Sequence, residues 1–183
     1  TLYIDGMPGS LTVVAFYTRG TLYEAEADRL RRSLLSHDVP HFIEAIDDQG
    51  DWHRNTAMKA GWLHRQRTQS RGPLLYVDVD AVIHQPLPSF PDIGDADVRM
   101  RLFNGYWLTG TILLNDTEGA RRFTDIWRRT VSERLSRGNV ANNGQGIVSK
   151  LWPPDRNGES REFDVTIASL PQEWCYIFDE PGE

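Results

Sequence analysis

The chain has 183 residues and a mass of 20.9 kDa, enough for one domain with a sizeable core and too short for two without a linker. Hydrophobic residues at 39% with six tryptophans exclude a disordered tail, and no stretch approaches the ~20 consecutive apolar residues of a membrane span. A net charge of −6 argues against a general nucleic-acid binder, and a single cysteine, Cys175, excludes an internal disulfide and a cysteine-based zinc site. Thr1–Gly9 has neither the basic start nor the apolar run of a signal peptide, so a reducing, cytoplasmic setting is expected.

Leu11–Thr18 is a nearly continuous apolar run of the kind required by a strand buried on both faces, closed by a turn at Arg19-Gly20. Thr21 and Glu24 have capping-box spacing, and Leu22, Ala25, Ala27, Leu30 and Leu34 recur at helical intervals up to Ser36. His41–Ile46 reads as a second strand and Asp47–Asp51 as an acidic loop. A helix follows from about Asn55 to Gln69. Pro73–Asp80 reads as a third apolar strand, ending in Asp78 and Asp80 with Ala81-Val82-Ile83 beyond. This alternation predicts parallel strands joined by right-handed crossovers in an α/β sheet covered on both faces. Further strands are expected at Asp97–Phe103, Thr109–Asn115 and Phe163–Ala168. Helices are expected from Thr117 through Leu135 and over Gln145–Leu151, with a Pro- and Gly-containing loop after the latter and an ending at Trp174–Phe178.

Asp78 and Asp80 carry the most information. Carboxylates at i and i+2 of a strand point the same way and must share a counter-ion, and the carboxyl end of a strand in an open α/β sheet is where ligands bind. Two hard oxygen donors suit Mg²⁺ or Mn²⁺ bridged to a diphosphate; the plain alternative is an Asp-x-Asp tripeptide in a solvated loop. Of the basic residues only Lys59 and Lys150 are lysines, the other 18 being arginines, which reflects either coding composition or phosphate recognition. Arg121, Arg122, Arg128, Arg129, Arg134 and Arg137 line one helix as a solvated face or a contact for a polyanion. No Gly-x-Ser-x-Gly elbow, Walker loop or Gly-x-Gly-x-x-Gly is present.

Leu74-Leu75-Tyr76-Val77-Asp78-Val79-Asp80-Ala81-Val82-Ile83 resembles the Asp-x-Asp strand of GT-A fold glycosyltransferases, the nucleotide-diphospho-sugar transferases of the glycogenin-like superfamily. Lys59, some twenty residues earlier, Leu108–Asn115, Gly144-Gln145 and Leu170–Tyr176 resemble further family segments in the same order. The resemblance implies a single domain over residues 1–183, GT-A in fold, with a mainly parallel central sheet flanked by helices. It also implies a hexosyltransferase of the retaining type that uses a nucleotide-sugar donor, a UDP-sugar, with Mn²⁺ or Mg²⁺. It assigns Asp78 and Asp80 to metal binding and catalysis, Asp80 as the direct ligand and Asp78 also to the ribose. Asn143 and Gln145 join them as catalytic polar groups. Phe16, Tyr17, Thr18, Arg19, Lys59, Asp78, Val79 and Gly110 are assigned to the nucleotide sugar, with Arg54 beside Lys59 near the phosphates. Read from the residues alone, Tyr17 serves equally as a core aromatic, Lys59 as a solvated helix residue and Gly110 as a packing glycine.

Two departures from the family pattern stand out. None of His37, His41, His53, His64 or His84 lies where members place a C-terminal metal ligand, so that ligand falls beyond Glu183, is replaced by water, or is missing with weak metal binding as the result. Gly144 precedes Gln145 where the family has an acid. An inverting enzyme would need a carboxylate base, for which Glu173 and Asp116 are the candidates. The acceptor stays open among a glycan, a protein, a lipid-linked carrier and modified DNA. A catalytically inactive nucleotide-sugar-binding module and a nucleotidyltransferase are the alternative functions.

Overall fold

A computed structural model of the chain describes residues 11–87, 95–139, 141 and 144–175. In chain order it runs β1 (Thr12–Thr18), α1 (Tyr23–Ser36), β2 (His41–Ile46), α2 (Trp52–Gln69), β3 (Leu74–Val77), β4 (Val98–Phe103), β5 (Tyr106–Leu114), α3 (Glu118–Ser136), α4 (Gln145–Leu151), β6 (Glu159–Glu162) and β7 (Val165–Ser169), then a 3₁₀ turn at Gln172–Trp174. The seven strands form one sheet in the order β2-β1-β3-β5-β4-β7-β6. The pairs β1·β2, β1·β3 and β4·β7 are parallel, while β5 runs against both β3 and β4 and β6 runs against β7. The sheet is thus mixed but mainly parallel in strand direction, as the alternation predicts. β5 and the edge strand β6 are the departures: the apolar run of β5 reads alike in either direction, and only the Asn104-Gly105 turn, where both residues have positive φ, brings it back beside β4.

Alternation along the strands sorts the core onto two faces. Val14, Tyr76, Met100, Ile112 and Leu114 pack with Leu63 of α2, Phe123 and Trp127 of α3, and Val148 of α4. Val13, Ala15, Leu75, Val77 and Leu113 meet Leu30 and Leu34 of α1 on the opposite face. α1 forms where its apolar positions lead, but not through a capping box. The Thr21 hydroxyl donates to the Thr18 carbonyl at 2.7 Å, and the Glu24 carboxylate accepts from the Gly20 N–H at 2.8 Å. α2 starts earlier than the periodicity suggests because Asp51 caps it, accepting from the Arg54 N–H at 3.1 Å.

Two polar anchors, one of them fully buried, fix the end of the sheet away from the carboxyl edges of β1–β3. Arg67, fully buried, donates to the carbonyls of Gly72, Ser70 and Leu114 and pairs with Asp116 at 3.1 Å. Burial lowers its pKa to about 10 against the pull of Asp116, so it stays charged at neutral pH and ties the turn into β3 to the end of β5. Asp97 accepts from the N–H and the hydroxyl of Thr166, both at 2.8 Å, and from the Thr117 hydroxyl at 2.7 Å, joining β4, β7 and the start of α3.

Candidate functional site

β3 ends at Val77, one residue short of the first carboxylate. The Asp78 N–H still donates to the Gly110 carbonyl at 2.8 Å, and the Ala81 N–H then donates to the Asp78 carbonyl at 3.0 Å, so Asp78–Ala81 is a turn. The two-residue period of a strand therefore does not govern the second acid, and Ala81–Ile83 is not a strand; the apolar run there serves packing against the α1 face. Asp78 keeps the orientation of the pleat, on the same side as Tyr76. Its Oδ1 accepts from the Tyr76 hydroxyl at 2.6 Å and pairs with the Lys59 ammonium at 2.7 Å. Lys59, only 9% exposed, also donates to the Thr109 carbonyl at 3.1 Å and lies 5.0 Å from the centre of the Tyr76 ring. Burial, then the Asp78 charge, push the Tyr76 hydroxyl well above its usual pKa, keeping it a donor.

Asp80 stands in contrast. Its carboxylate has no cationic partner within ion-pair distance among the described residues, and only its backbone carbonyl is held, by Arg29 of α1 at 2.8 Å. Surrounding protein, and next the charge of Asp78, raise its pKa above the ordinary carboxylate value. Lys59 thus offsets one negative charge where the turn presents two.

The two acids lie where two cavities meet. The smaller, about 180 Å³, is lined by Phe16, Tyr17, Thr18, Tyr23, Trp52, Asn55, Thr56, Lys59, Tyr76, Asp78, Val79 and Asp80. The larger, about 910 Å³, opens on the α1 face and shares Asp78 and Asp80; Gly110, Gln145, Glu173, Trp174 and His84 also border it. A Cβ on Gly110 would sit 3.2 Å from Asp78 Oδ2, closer than ordinary contact. Because Lys59 and Tyr76 pin the other oxygen, Asp78 has little room to yield, and we expect Gly110→Ala to displace the free oxygen of Asp78 while the fold is kept. A crystal structure of the variant beside a melting curve checks this.

Phe16, Tyr17, Thr18, Lys59, Val79 and both acids share the smaller cavity. Arg19 turns away to pair with Asp47 at 2.7 Å, and Arg54 is exposed and outside the lining. Gln145 and Glu173 reach the larger cavity, and Asn143 lies outside the described residues. Asp116 is at the other end of the sheet, paired with Arg67 and Arg121 and accepting from the Gly72 N–H, so it is no base for this site. On α3, Arg121 pairs with Asp116, Arg122 with Asp164, Arg128 and Arg129 with Asp125, and Arg137 with Glu133, which removes most of the free charge a polyanion would need. Sequence reading missed Tyr23, Trp52, Asn55 and Thr56. Asn55 and Thr56 were findable, since together with Lys59 they recur at the three-to-four-residue spacing of one helix face, whereas Trp52 precedes the expected start of that helix.

The donor set fits a divalent ion of the Mg²⁺ or Mn²⁺ kind. Among the described residues no group of three or more His, Cys, Asp or Glu gathers, so Asp80 and the free oxygen of Asp78 would be the protein's share of its shell. Mg²⁺ is commonly bound in this way, through one or two carboxylates. No helix among the described residues is long and apolar enough to cross a membrane.

No protein-family model matches the chain, and no curated protein does. Solved structures do. A glycosyltransferase involved in glycosylation of the major capsid of PBCV-1 superposes with a TM-score of 0.51 at 15% identity over 68% of this chain, and the glycosyltransferase GlyE of Streptococcus pneumoniae with 0.54 at 14% identity over 89%. The galactosyltransferase LgtC, solved with donor and acceptor sugar analogs, aligns over 88% of the chain at 14% identity with a TM-score of 0.46. The chain spans 66%, 45% and 73% of these three proteins. The chain thus shares the fold of the first two of these glycosyltransferases, in agreement with the architecture that the resemblance of the Asp-x-Asp strand implies.

Proposed function

We propose that the protein is a metal-dependent glycosyltransferase that moves a sugar from a nucleoside-diphosphate donor to a hydroxylated acceptor. The observation that carries this is the junction of two unequal cavities at Asp78 and Asp80, on the carboxyl edge of β1 and β3. In this reading the nucleoside occupies the smaller cavity, with the rings of Tyr17, Tyr23 and Trp52 to stack on the base and Asn55 and Thr56 to bond it. The donor sugar and the acceptor then meet in the larger cavity, beside Gln145, Glu173 and Trp174. The sequence resemblance makes a UDP-sugar the first donor to test. Bound Mn²⁺ or Mg²⁺ would supply Lewis-acid neutralisation of the diphosphate. Lys59 would hold the Asp78 carboxylate in place, and Asp80 would give the uncommitted charge. Transfer with retention is the course the resemblance implies, with Gln145 and Asn143 as its polar groups; Glu173 would be the base of an inverting reaction.

A thermal-shift panel of UDP, GDP and CMP and their sugar conjugates, with and without Mn²⁺, tests this. A ligand at a hundred times its Kd adds about 2.7 kcal/mol. For a chain of this size that is a rise of about 5–10 °C, expected for one nucleotide and only with the metal. Slow release of free nucleoside diphosphate from the matching sugar conjugate would separate a transferase from an inactive binding module. No shift with any nucleotide would remove the proposal and leave the fold.

A further inference from the structure

We propose that Tyr76 is a positioning residue for the donor site: its buried hydroxyl and the Lys59 ammonium occupy one oxygen of Asp78 and so present the other to substrate. The inference rests on the transferase reading above. Tyr76 is 2% exposed, far too enclosed to touch a nucleotide by more than its edge, and its hydroxyl meets Asp78 Oδ1 at 2.6 Å. Lys59 converges on the same oxygen at 2.7 Å and is itself fixed by the Thr109 carbonyl. Two donors from different elements, β3 and α2, therefore define where the carboxylate lies. Asp78 Oδ2 is left facing the space beside Gly110, 3.2 Å from where a Cβ would stand.

The ring is held as firmly as the hydroxyl. Trp62 packs on Tyr76 at 6.1 Å between centroids and Phe16 at 6.2 Å, and Phe16 and Trp62 touch each other at 5.1 Å. The Trp62 indole N–H is anchored on Glu44 at 2.6 Å, so the aromatic cluster has no freedom to slide. Lys59 is occupied by this arrangement: an ammonium with a carboxylate, a carbonyl and an aromatic face around it acts through Asp78 rather than as a free group for the donor phosphates.

Tyr76→Phe removes one hydroxyl from a well-packed ring and leaves the fold intact. Hydrogen bonds to a charged group contribute about the equivalent of a tenfold change or somewhat more. We expect the Kd for UDP with Mn²⁺ to rise about tenfold by calorimetry, the KM for the donor to rise with it, and the melting temperature to stay within a few degrees of wild type. Val131→Ala, which opens the same core on α3 away from Tyr76 and Asp78, should leave the Kd unchanged. Equal weakening by both variants, or an unchanged Kd in Tyr76→Phe, would overturn the positioning role. A crystal structure of Tyr76→Phe gives a readout independent of nucleotide: the Asp78 carboxylate should leave its present rotamer, and a carboxylate that does not move would show that Lys59 suffices. Failure of the wild-type protein to bind any nucleotide would instead strike the transferase reading, with the crystallographic test of Asp78 still standing.

Discussion

Asp80→Ala should abolish the proposed metal-dependent nucleotide binding and lower sugar transfer by about 10³-fold or more, while the folded protein should lose no stability at neutral pH. The turn at the end of β3 carries two carboxylates and one nearby ammonium, and the ammonium is committed to Asp78. Asp80 is therefore the group whose charge a divalent ion would answer. Several kcal/mol of charge stabilisation by such an ion, at 1.36 kcal/mol per decade, gives the expected rate loss. The stability half of the prediction follows from the raised pKa of Asp80. An acid that holds its proton to higher pH when folded than when unfolded favours folding while protonated. That contribution is lost as pH climbs from the unfolded value through the folded one, and above it the ionised group disfavours the native state. Removing the carboxylate removes the penalty. Because Asp80 is still partly in solvent, the melting temperature of the metal-free protein should rise only slightly at pH 7 and not at all near pH 3. Calorimetry with UDP and Mn²⁺ and melting curves at both pH values check it. Metal-dependent binding retained within threefold in Asp80→Ala would show that this acid is not a ligand.

The contrast between the two acids explains which parts of the site could be read from sequence. An apolar run interrupted by Asp78 and Asp80 is a local pattern, and it located the cavity junction because the end of a parallel strand is where the sheet opens. The division of labour within the pair was hidden. It depends on Lys59 from α2 reaching the oxygen that Tyr76 also bonds, a meeting of residues whose separation in the chain carries no periodic signal. Trp52 was missed for a similar reason, since the helix was expected to begin near Asn55, and the Asp51 cap that extends it brings Trp52 to the cavity mouth. The expected capping box at Thr21 failed on competition: a turn with φ of 69° at Gly20 gave Glu24 a closer N–H and Thr21 a nearer carbonyl. β6 lies in what reads as a Pro- and Gly-containing loop because Glu159–Glu162 is an edge strand of charged and polar residues, lacking the apolar alternation that marks a buried one. Arg19 and Asp116 show the opposite error. Each sits beside a strand end that looked suitable, but Asp47 takes one and Arg67 with Arg121 takes the other.

Gly119→Ala should be the most damaging small substitution for the fold, although alanine is ordinarily the better helix residue by about 1 kcal/mol. Gly119 is buried in the first turn of α3, and a Cβ built there would overlap all three heavy atoms of the Asp97 carboxyl group. Asp97 has nowhere to go. Its carboxylate holds the backbone and hydroxyl of Thr166 on β7 and the hydroxyl of Thr117, while its carbonyl accepts from the Asn115 N–H at 3.0 Å. Thr117 in turn caps α3 by accepting from the Ala120 N–H at 3.1 Å. Moving the helix instead would unseat Phe123 and Trp127, both fully buried on the β5 face of the sheet. Overpacking costs roughly 1–3 kcal/mol, and breaking the half-buried bonds of Asp97 adds to it, so the loss should reach about 3–5 kcal/mol. At about 2–4 °C per kcal/mol this lowers the melting temperature by roughly 6–20 °C. Urea denaturation of the two proteins measures it, and a loss below 1 kcal/mol would mean that Asp97 can relocate. Pairing Gly119→Ala with Asp97→Ala clears the overlap, so the double variant should be less destabilised than the two single losses added together. The consequence reaches the site, because the Asp97 anchor sits at the end of β5, and β5 carries Thr109 and Gly110 to Lys59 and Asp78. A protein loosened at Gly119 should therefore bind nucleotide more weakly at 37 °C than at 10 °C by a wider margin than wild type.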